Sequence, residues 1–134
     1  MMGARGPEAD VAAIRQLIDD YGDAVFRRDA AGWGACWAED ARWSLSGHVV
    51  EGRDQIVALW ETAMAGFPFV AFFAQAGLIE VDEGRANGRV YTHELLEKSD
   101  GTIDRPIGRY DDEYRKIEGA WRFAARTYTL LHRG

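Results

Sequence analysis

Two carboxylates and a histidine in the second half of the sequence have the types and neighbours for proton transfer. They are His93 and Glu94, adjacent in VYTHELL, and Asp112 in GRYDDEY. A carboxylate removes a carbon-bound proton near neutral pH only if its pKa is raised, and burial among apolar groups raises it. Glu94 has apolar neighbours and Asp112 shares a strand face with Tyr110 and Tyr114, so either suits a general base working near neutrality. The competing reading of each is a solvated or ion-paired strand residue, and of His93 a surface residue, since charged groups are seldom buried. Alternation along the strand sets Thr92, Glu94 and Leu96 on one face and Tyr91, His93 and Leu95 on the other. His93 and Glu94 therefore enter one cavity only if a bulge intervenes. Gln75, the odd polar residue in FVAFFAQAGLIEV, needs a partner. It is expected either to orient a ligand carbonyl or to bond Tyr21 or a backbone group.

Other chemistries find little support. His48, His93 and His132 are scattered, the single Cys36 has no partner, and no CxxC spacing occurs, so no metal is expected. No glycine-rich phosphate loop is present, and no cofactor is expected. Sixteen Lys and Arg against 22 Asp and Glu leave a net charge of -6 without a basic block, which argues against nucleic acid. The longest uncharged apolar stretch, Thr62 to Ile79, is broken by Gly66, Pro68, Gln75 and Gly77 and is not read as a membrane span. The opening MMGARGPEAD lacks the apolar core of a secretory signal, and a cytoplasmic protein is expected.

The elements that must position these groups follow from periodicity. With 134 residues, 47% hydrophobic and 28% charged, the chain is expected to form one globular domain over 8–134 after a flexible 1–7. Val11, Ile14, Ile18, Tyr21 and Val25 mark one face of a long first helix over 8–28. Trp33, Cys36 and Trp37 fit a short second helix. Next, ARWSLSGHVVEG reads as strand, turn and strand about Ser46-Gly47. RDQIVALWETAMAGF returns to helical spacing through Ile56, Leu59, Trp60, Ala63 and Met64. From Pro68 onward four long strands, over 68–82, 84–99, 103–117 and 120–133, are joined by DEG, DG and EG turns into an antiparallel meander. Strands this long must curl or bulge, with Asn87-Gly88 and Gly108 as bulge sites. The fold class is α+β: a single-domain cone of strongly curled antiparallel sheet wrapped round N-terminal helices, enclosing an apolar pocket. Five Trp, five Tyr and six Phe are enough to line such a pocket.

This element order, with Tyr21 to Asp29, CWAEDARW (36–43), EGRDQI (51–56), GRYDDEY (108–114) and WRFAAR (121–126), resembles the SnoaL-like branch of the nuclear-transport-factor-two-like, or cystatin-like cone, superfamily. The resemblance spans roughly Val11 to Leu131. The fold it implies hosts polyketide cyclases, dehydratases, steroid isomerases, epoxide hydrolases, dioxygenase small subunits and non-catalytic modules, so function is argued from the site. Ketosteroid isomerase implies an oxyanion-donating tyrosine, matched by Tyr21, and an aspartate base whose place falls on Leu45, between Ser44 and Ser46. Limonene epoxide hydrolase implies an Arg-x-Asp pattern, matched by Arg109-Tyr110-Asp111, and an aspartate on the last strand, which has no carboxylate. With a turn at Glu118-Gly119, Asp111 is expected opposite Arg126 as a cross-strand ion pair. SnoaL-like cyclases imply a carboxylate base on the sheet, and related dehydratases a Tyr, a His and an Asp in one cavity. Glu94, Asp112 and His93 are the candidates, with Tyr110 and Arg126 beside them.

The reading that follows is a cofactor-independent cyclase, dehydratase or isomerase acting by acid/base chemistry on a hydrophobic, polyketide- or steroid-like carbonyl compound. Tyr21 polarises the carbonyl, Glu94 or Asp112 moves the proton, and Arg126 holds an anionic group or tunes a carboxylate. Trp37, Trp43, Trp60 and Phe73 shape the pocket. The alternatives are a non-catalytic ligand-binding or assembly module and a partner resembling a dioxygenase small subunit. A homodimer through the convex sheet face is expected.

Overall fold

Apolar spacing makes the first helix, and the other elements pack on its stripe. The computed structural model describes residues 4–134, with side chains from residue 6. Helix α1 (Glu8–Arg27) buries Val11, Ile14, Ile18, Tyr21 and Val25 as the spacing predicts. It ends at Arg28, whose left-handed φ of 53° turns the chain away. The Arg28 guanidinium donates to the carbonyls of Met64 and Phe67, so the end of α1 satisfies orphan acceptors at the end of α3 (Arg53–Ala65). Helix α2 (Ala30–Ala35) is capped by Asp29, whose Oδ1 accepts the Gly32 N–H at 3.0 Å. It stops before Cys36 and Trp37, which were expected within it. Gly32 and Gly34 weaken so short a helix, and Trp37 instead begins strand β2 (Trp37–Leu45). Arg53 donates twice to the Trp37 carbonyl, at 3.0 and 2.7 Å, and so pins α3 to the start of β2. Among the described residues no helix is long and apolar enough to cross a membrane.

The sheet runs β1-β4-β5-β7-β8-β2-β3. Its strands are β1 (Ala4–Arg5), β2, β3 (His48–Glu51), β4 (Phe69–Asp82), β5 (Arg85–Glu97), β7 (Pro106–Ile117) and β8 (Ala120–Arg133), and β6 (Ile103–Asp104) flanks β5. The four long strands form the expected antiparallel meander, and Ser46-Gly47 and Glu118-Gly119 make two-residue hairpins with positive φ at both positions. Strand 103–117 is interrupted at Arg105. Of the residues 1–7 expected to be flexible, 1–3 lie outside the described residues, and Ala4–Arg5 pair in parallel with Ile79–Glu80. Strand β2 also joins in parallel, on β8. The helices fill the concave side, so the sheet and helices form an α+β cone.

Bulges decide which side chains face inward. On β4, Val70 and Phe72 point in. The register then slips between Ala76 and Ile79, and Ile79 points in despite its opposite parity. This bulge lies at Gly77-Leu78, opposite the expected site: a Cβ on Gly88 would come within 2.7 Å of the Leu78 carbonyl oxygen. Phe73 and Gln75, expected in the pocket, are on the outer face and exposed, because they alternate with Phe72. The same alternation puts His93 outside, against the Phe73 ring, with no bulge to bring it beside Glu94.

A second slip, at Ala124 on β8, has the largest effect. Trp121 and Phe123 point inward by odd parity, then Arg126 and Tyr128 by even. Arg126 therefore opposes Asp112, and Asp111 opposes Thr127, which corrects the expected Asp111–Arg126 pair. Arg126 Nε donates to Asp112 Oδ1 at 2.8 Å and Nη2 to Oδ2 at 3.1 Å, while the Tyr114 hydroxyl donates to Oδ2 at 2.8 Å. Both charged side chains are sealed from water, at 1% and 0% exposure. Removing one partner strands a buried charge. Asp112→Ala is expected to lose about 3–5 kcal/mol of stability in urea unfolding, and Asp112→Leu/Arg126→Met to recover most of it. A double variant no better than the single one would mean that the pair itself stabilises the fold.

Candidate active site

The cone encloses a cavity of about 290 Å³. Tyr21 and Val25 come to it from α1, Trp43 from β2, Trp60 and Met64 from α3, Val70 and Phe72 from β4, Glu94 and Leu96 from β5, Tyr110 from β7 and Tyr128 from β8. Exposed Ser46, Leu130 and Arg133 form its rim. Among the described lining residues, Glu94 is the one carboxylate and Arg133 the one cation. Arg133 also lies 3.8 Å from Asp104.

Arg126 organises the polar wall. Its guanidinium carbon lies 3.8 Å from the centre of the Tyr110 ring, 4.2 Å from that of Phe123 and 4.6 Å from that of Tyr21. Stacking of a cation on three aromatic faces offsets part of its lost hydration. Burial alone would lower the Arg126 pKa, but the Asp112 carboxylate and the Tyr21 and Tyr110 phenols hold it above its ordinary value. Burial pushes the Tyr21 phenol up to about 12, against the pull of Arg126 and the neighbouring Tyr110 hydroxyl. Burial likewise holds Tyr110 well above its usual range. Trp43 Nε1 donates to the Tyr110 hydroxyl oxygen at 3.0 Å, fixing that phenol in place. All these groups keep their protons at neutral pH, so they act as hydrogen-bond donors.

The two carboxylates named from the sequence part company here. Burial raises the Asp112 carboxyl, Arg126 and Tyr114 pull it back, and its oxygens are occupied by their donors, so Asp112 is a structural counter-ion and not a base facing a ligand. Glu94 has no such partner among the described side chains. Burial pushes its carboxyl up to about 7, opposed only by the field of Arg126. A base poised there is half ionised at neutral pH.

Of the residues expected at the site, Tyr21, Glu94, Tyr110, Trp43 and Trp60 line the cavity, and Arg126 lies behind its tyrosines. Trp37 is wholly buried among Tyr21, Trp33, Trp43 and Phe123 and belongs to the core. His93, Phe73 and Gln75 are outside, so the Tyr, His and Asp set of dehydratase-like relatives is not assembled by these residues. Cys36 is buried away from the cavity, its thiol pushed up to about 11 by burial. Tyr128 was missed. Its signal was its place two residues beyond Arg126 on the same strand face.

The sequence profile of the SnoaL-like domain family matches residues 8–127. No curated protein matches the chain significantly. Among solved structures, a protein of Novosphingobium aromaticivorans DSM 12444 provisionally assigned as a scytalone dehydratase is 21% identical, with a TM-score of 0.87 over 94% of this chain and 87% of its own. Hexachlorocyclohexane dehydrochlorinase LinA-type3 of Novosphingobium barchaimii LL02 is 20% identical, with a TM-score of 0.85 over 94% and 89%. A second protein of Novosphingobium aromaticivorans, provisionally assigned as an aromatic ring hydroxylase, is 24% identical, with a TM-score of 0.89 over 97% and 95%. At these identities the likeness is one of fold.

Glu94 links the cavity to stability. Its folded-state pKa of about 7 lies above its ordinary 4.5, so its favourable contribution is complete below pH 4.5 and is lost as pH rises through 7. Glu94→Gln carries no such loss. It is expected to match the wild type near pH 4 and to exceed it by about 3 kcal/mol at pH 8, from the size of the shift. Urea unfolding at the two pH values measures this, and a difference independent of pH would mean that the carboxylate is hydrated.

Proposed function

The chain belongs to the SnoaL-like domain family, and from that premise we propose that it is a cofactor-independent enzyme, a cyclase, dehydratase or isomerase, acting on a small hydrophobic carbonyl compound. The observation that carries this reading is Glu94: among the described residues, the one carboxylate lining an aromatic cavity, without a side-chain partner and with its pKa raised to about 7. Glu94 takes a proton from the carbon next to the carbonyl. Negative charge then develops on the carbonyl oxygen, where phenolic donors backed by the Arg126 cation stabilise it without reorganising. The apolar walls exclude water and accept flat ring systems of the polyketide or steroid kind.

An unpaired carboxylate in an apolar cavity lowers stability, which a passive ligand-holding module or a dioxygenase small-subunit-like partner has no need to bear. Phe73, Tyr91 and Ile107 lie exposed on the outer sheet face, and with them we assign a homodimer contact.

The test is α-deuterium uptake from heavy water into 2-tetralone and other cyclic ketones, read by mass spectrometry. Uptake is expected to rise with pH through about 7, as Glu94 ionises, and to level off above it. Glu94→Gln is expected to lower it by about 10²–10⁴-fold, the usual worth of a positioned base. Uptake that survives in this variant would remove Glu94 from the role, and no uptake into any ketone that binds would end the enolising reading.

A further inference from the structure

Gly108 lies on the inner face of β7 opposite Thr92 of β5, and a Cβ built on it would overlap the ring and the hydroxyl of Tyr128. The Tyr128 phenol therefore crosses the Gly108 backbone, a path that any other residue would block. The edge of the Tyr128 ring meets Tyr110, with centroids 5.2 Å apart and planes at 62°, and Tyr110 is itself held by Trp43. Two surfaces thus fix the ring. Tyr21 and Tyr110 are 3% and 5% exposed, whereas Tyr128 is only partly covered and opens on the cavity. Glu94 lies on the same inner face as Thr92, one row along β5, a spacing of about 7 Å. Among the described residues, a carboxylate without a side-chain partner and a phenol thus stand on neighbouring rows of one wall and line the same cavity.

We propose that Tyr128 is a catalytic proton donor, giving its hydroxyl proton to the substrate's carbonyl oxygen while Glu94 takes one from the adjacent carbon, with Gly108 as the positioning residue that admits it. The proposal rests on Glu94 as base. The C–H bond breaks and its electron pair becomes the carbon–carbon double bond. The carbonyl π pair moves to oxygen and forms the new O–H bond with the Tyr128 proton. The product is the enol, Glu94 is left neutral and Tyr128 as phenolate, and proton transfer from one to the other through water restores both. The two groups are matched in time. Burial, and then the Glu94 carboxylate, raise the Tyr128 pKa, so the phenol keeps its proton until Glu94 is neutralised and becomes the stronger acid at that moment.

Two readouts test this in wild type, Tyr128→Phe, Gly108→Ala, Tyr21→Phe and Glu94→Gln. One is kcat and KM for α-deuterium uptake into 2-tetralone. The other is the Kd of 2-naphthol, a flat aromatic alcohol shaped like its enol. Tyr128→Phe is expected to lower kcat about 100-fold with KM within threefold, to weaken 2-naphthol about tenfold, and to melt within a few degrees of wild type. Gly108→Ala is expected to give the same loss with the hydroxyl present but displaced, and the double variant no further loss. Glu94→Gln is expected to lower uptake by about 10²–10⁴-fold while still binding 2-naphthol. Tyr128→Phe within twofold of wild type in kcat and Kd, with Glu94→Gln inactive, overturns the role of Tyr128 and leaves Glu94 standing. A wild type that binds 2-naphthol but exchanges no deuterium overturns Glu94 as base. The Kd of Tyr128→Phe then still decides whether Tyr128 holds the ligand oxygen, and an unchanged Kd overturns that as well. Loss in Tyr21→Phe alone would transfer the role to Tyr21.

Discussion

Arg126 is 1% exposed, and a guanidinium cannot shed its proton, so the fold has to neutralise this charge where it lies. Three aromatic faces and one bidentate carboxylate do so. The Asp112 side chain must then be opposite Arg126 on the neighbouring strand, and must be equally dry. Both conditions depend on a single extra residue, Ala124. It shifts the β7–β8 register by one and turns Arg126 and Tyr128 to the same side as Trp121 and Phe123. Without that bulge, Arg126 would meet Asp111 on the outer face, and the wall of the cavity would lose its cation and one of its phenols together.

The same ion pair separates two carboxylates into different roles. Asp112 takes the Nε and Nη2 donors of Arg126 and serves as its counter-ion, while Arg126 acts on Glu94 through its field. Glu94 then bears the full effect of burial. Environment and not residue type holds one of them in an ion pair and raises the pKa of the other to about 7. The tyrosines are divided likewise: Tyr21 and Tyr110 are packed over the guanidinium, while Tyr128 is held open to the cavity by the missing side chain at Gly108.

The aromatic core keeps this arrangement rigid. Trp33 stacks on Trp60 at 4.5 Å and 10°, joining α2 to α3, and the rings of Trp37, Trp43, Phe123 and Tyr21 close round them. Arg28 and Arg53, reaching from helix ends to backbone carbonyls, fix α3 against α1 and β2. Trp60 and Met64 of α3 therefore line the cavity from a helix tied at both ends.

Much of this was legible in the residues. Helix α1 with Tyr21 on its buried stripe, helix α3, the hairpin turns at Ser46-Gly47 and Glu118-Gly119, the long meander and the shared strand face of Thr92, Glu94 and Leu96 all follow from local periodicity and turn chemistry, which act between near neighbours in the chain. What only the tertiary structure decided is which side of each strand becomes the inside. Side-chain direction in a strand has a period of two, so one bulge reverses every residue beyond it, as the bulges at Gly77-Leu78 and Ala124 do here. For that reason Asp112 and not Asp111 met Arg126, and Tyr128 came into the site unannounced. His93, Phe73 and Gln75 passed to the outer face because no bulge separates them from Glu94 and Phe72, the inward residues with which they alternate.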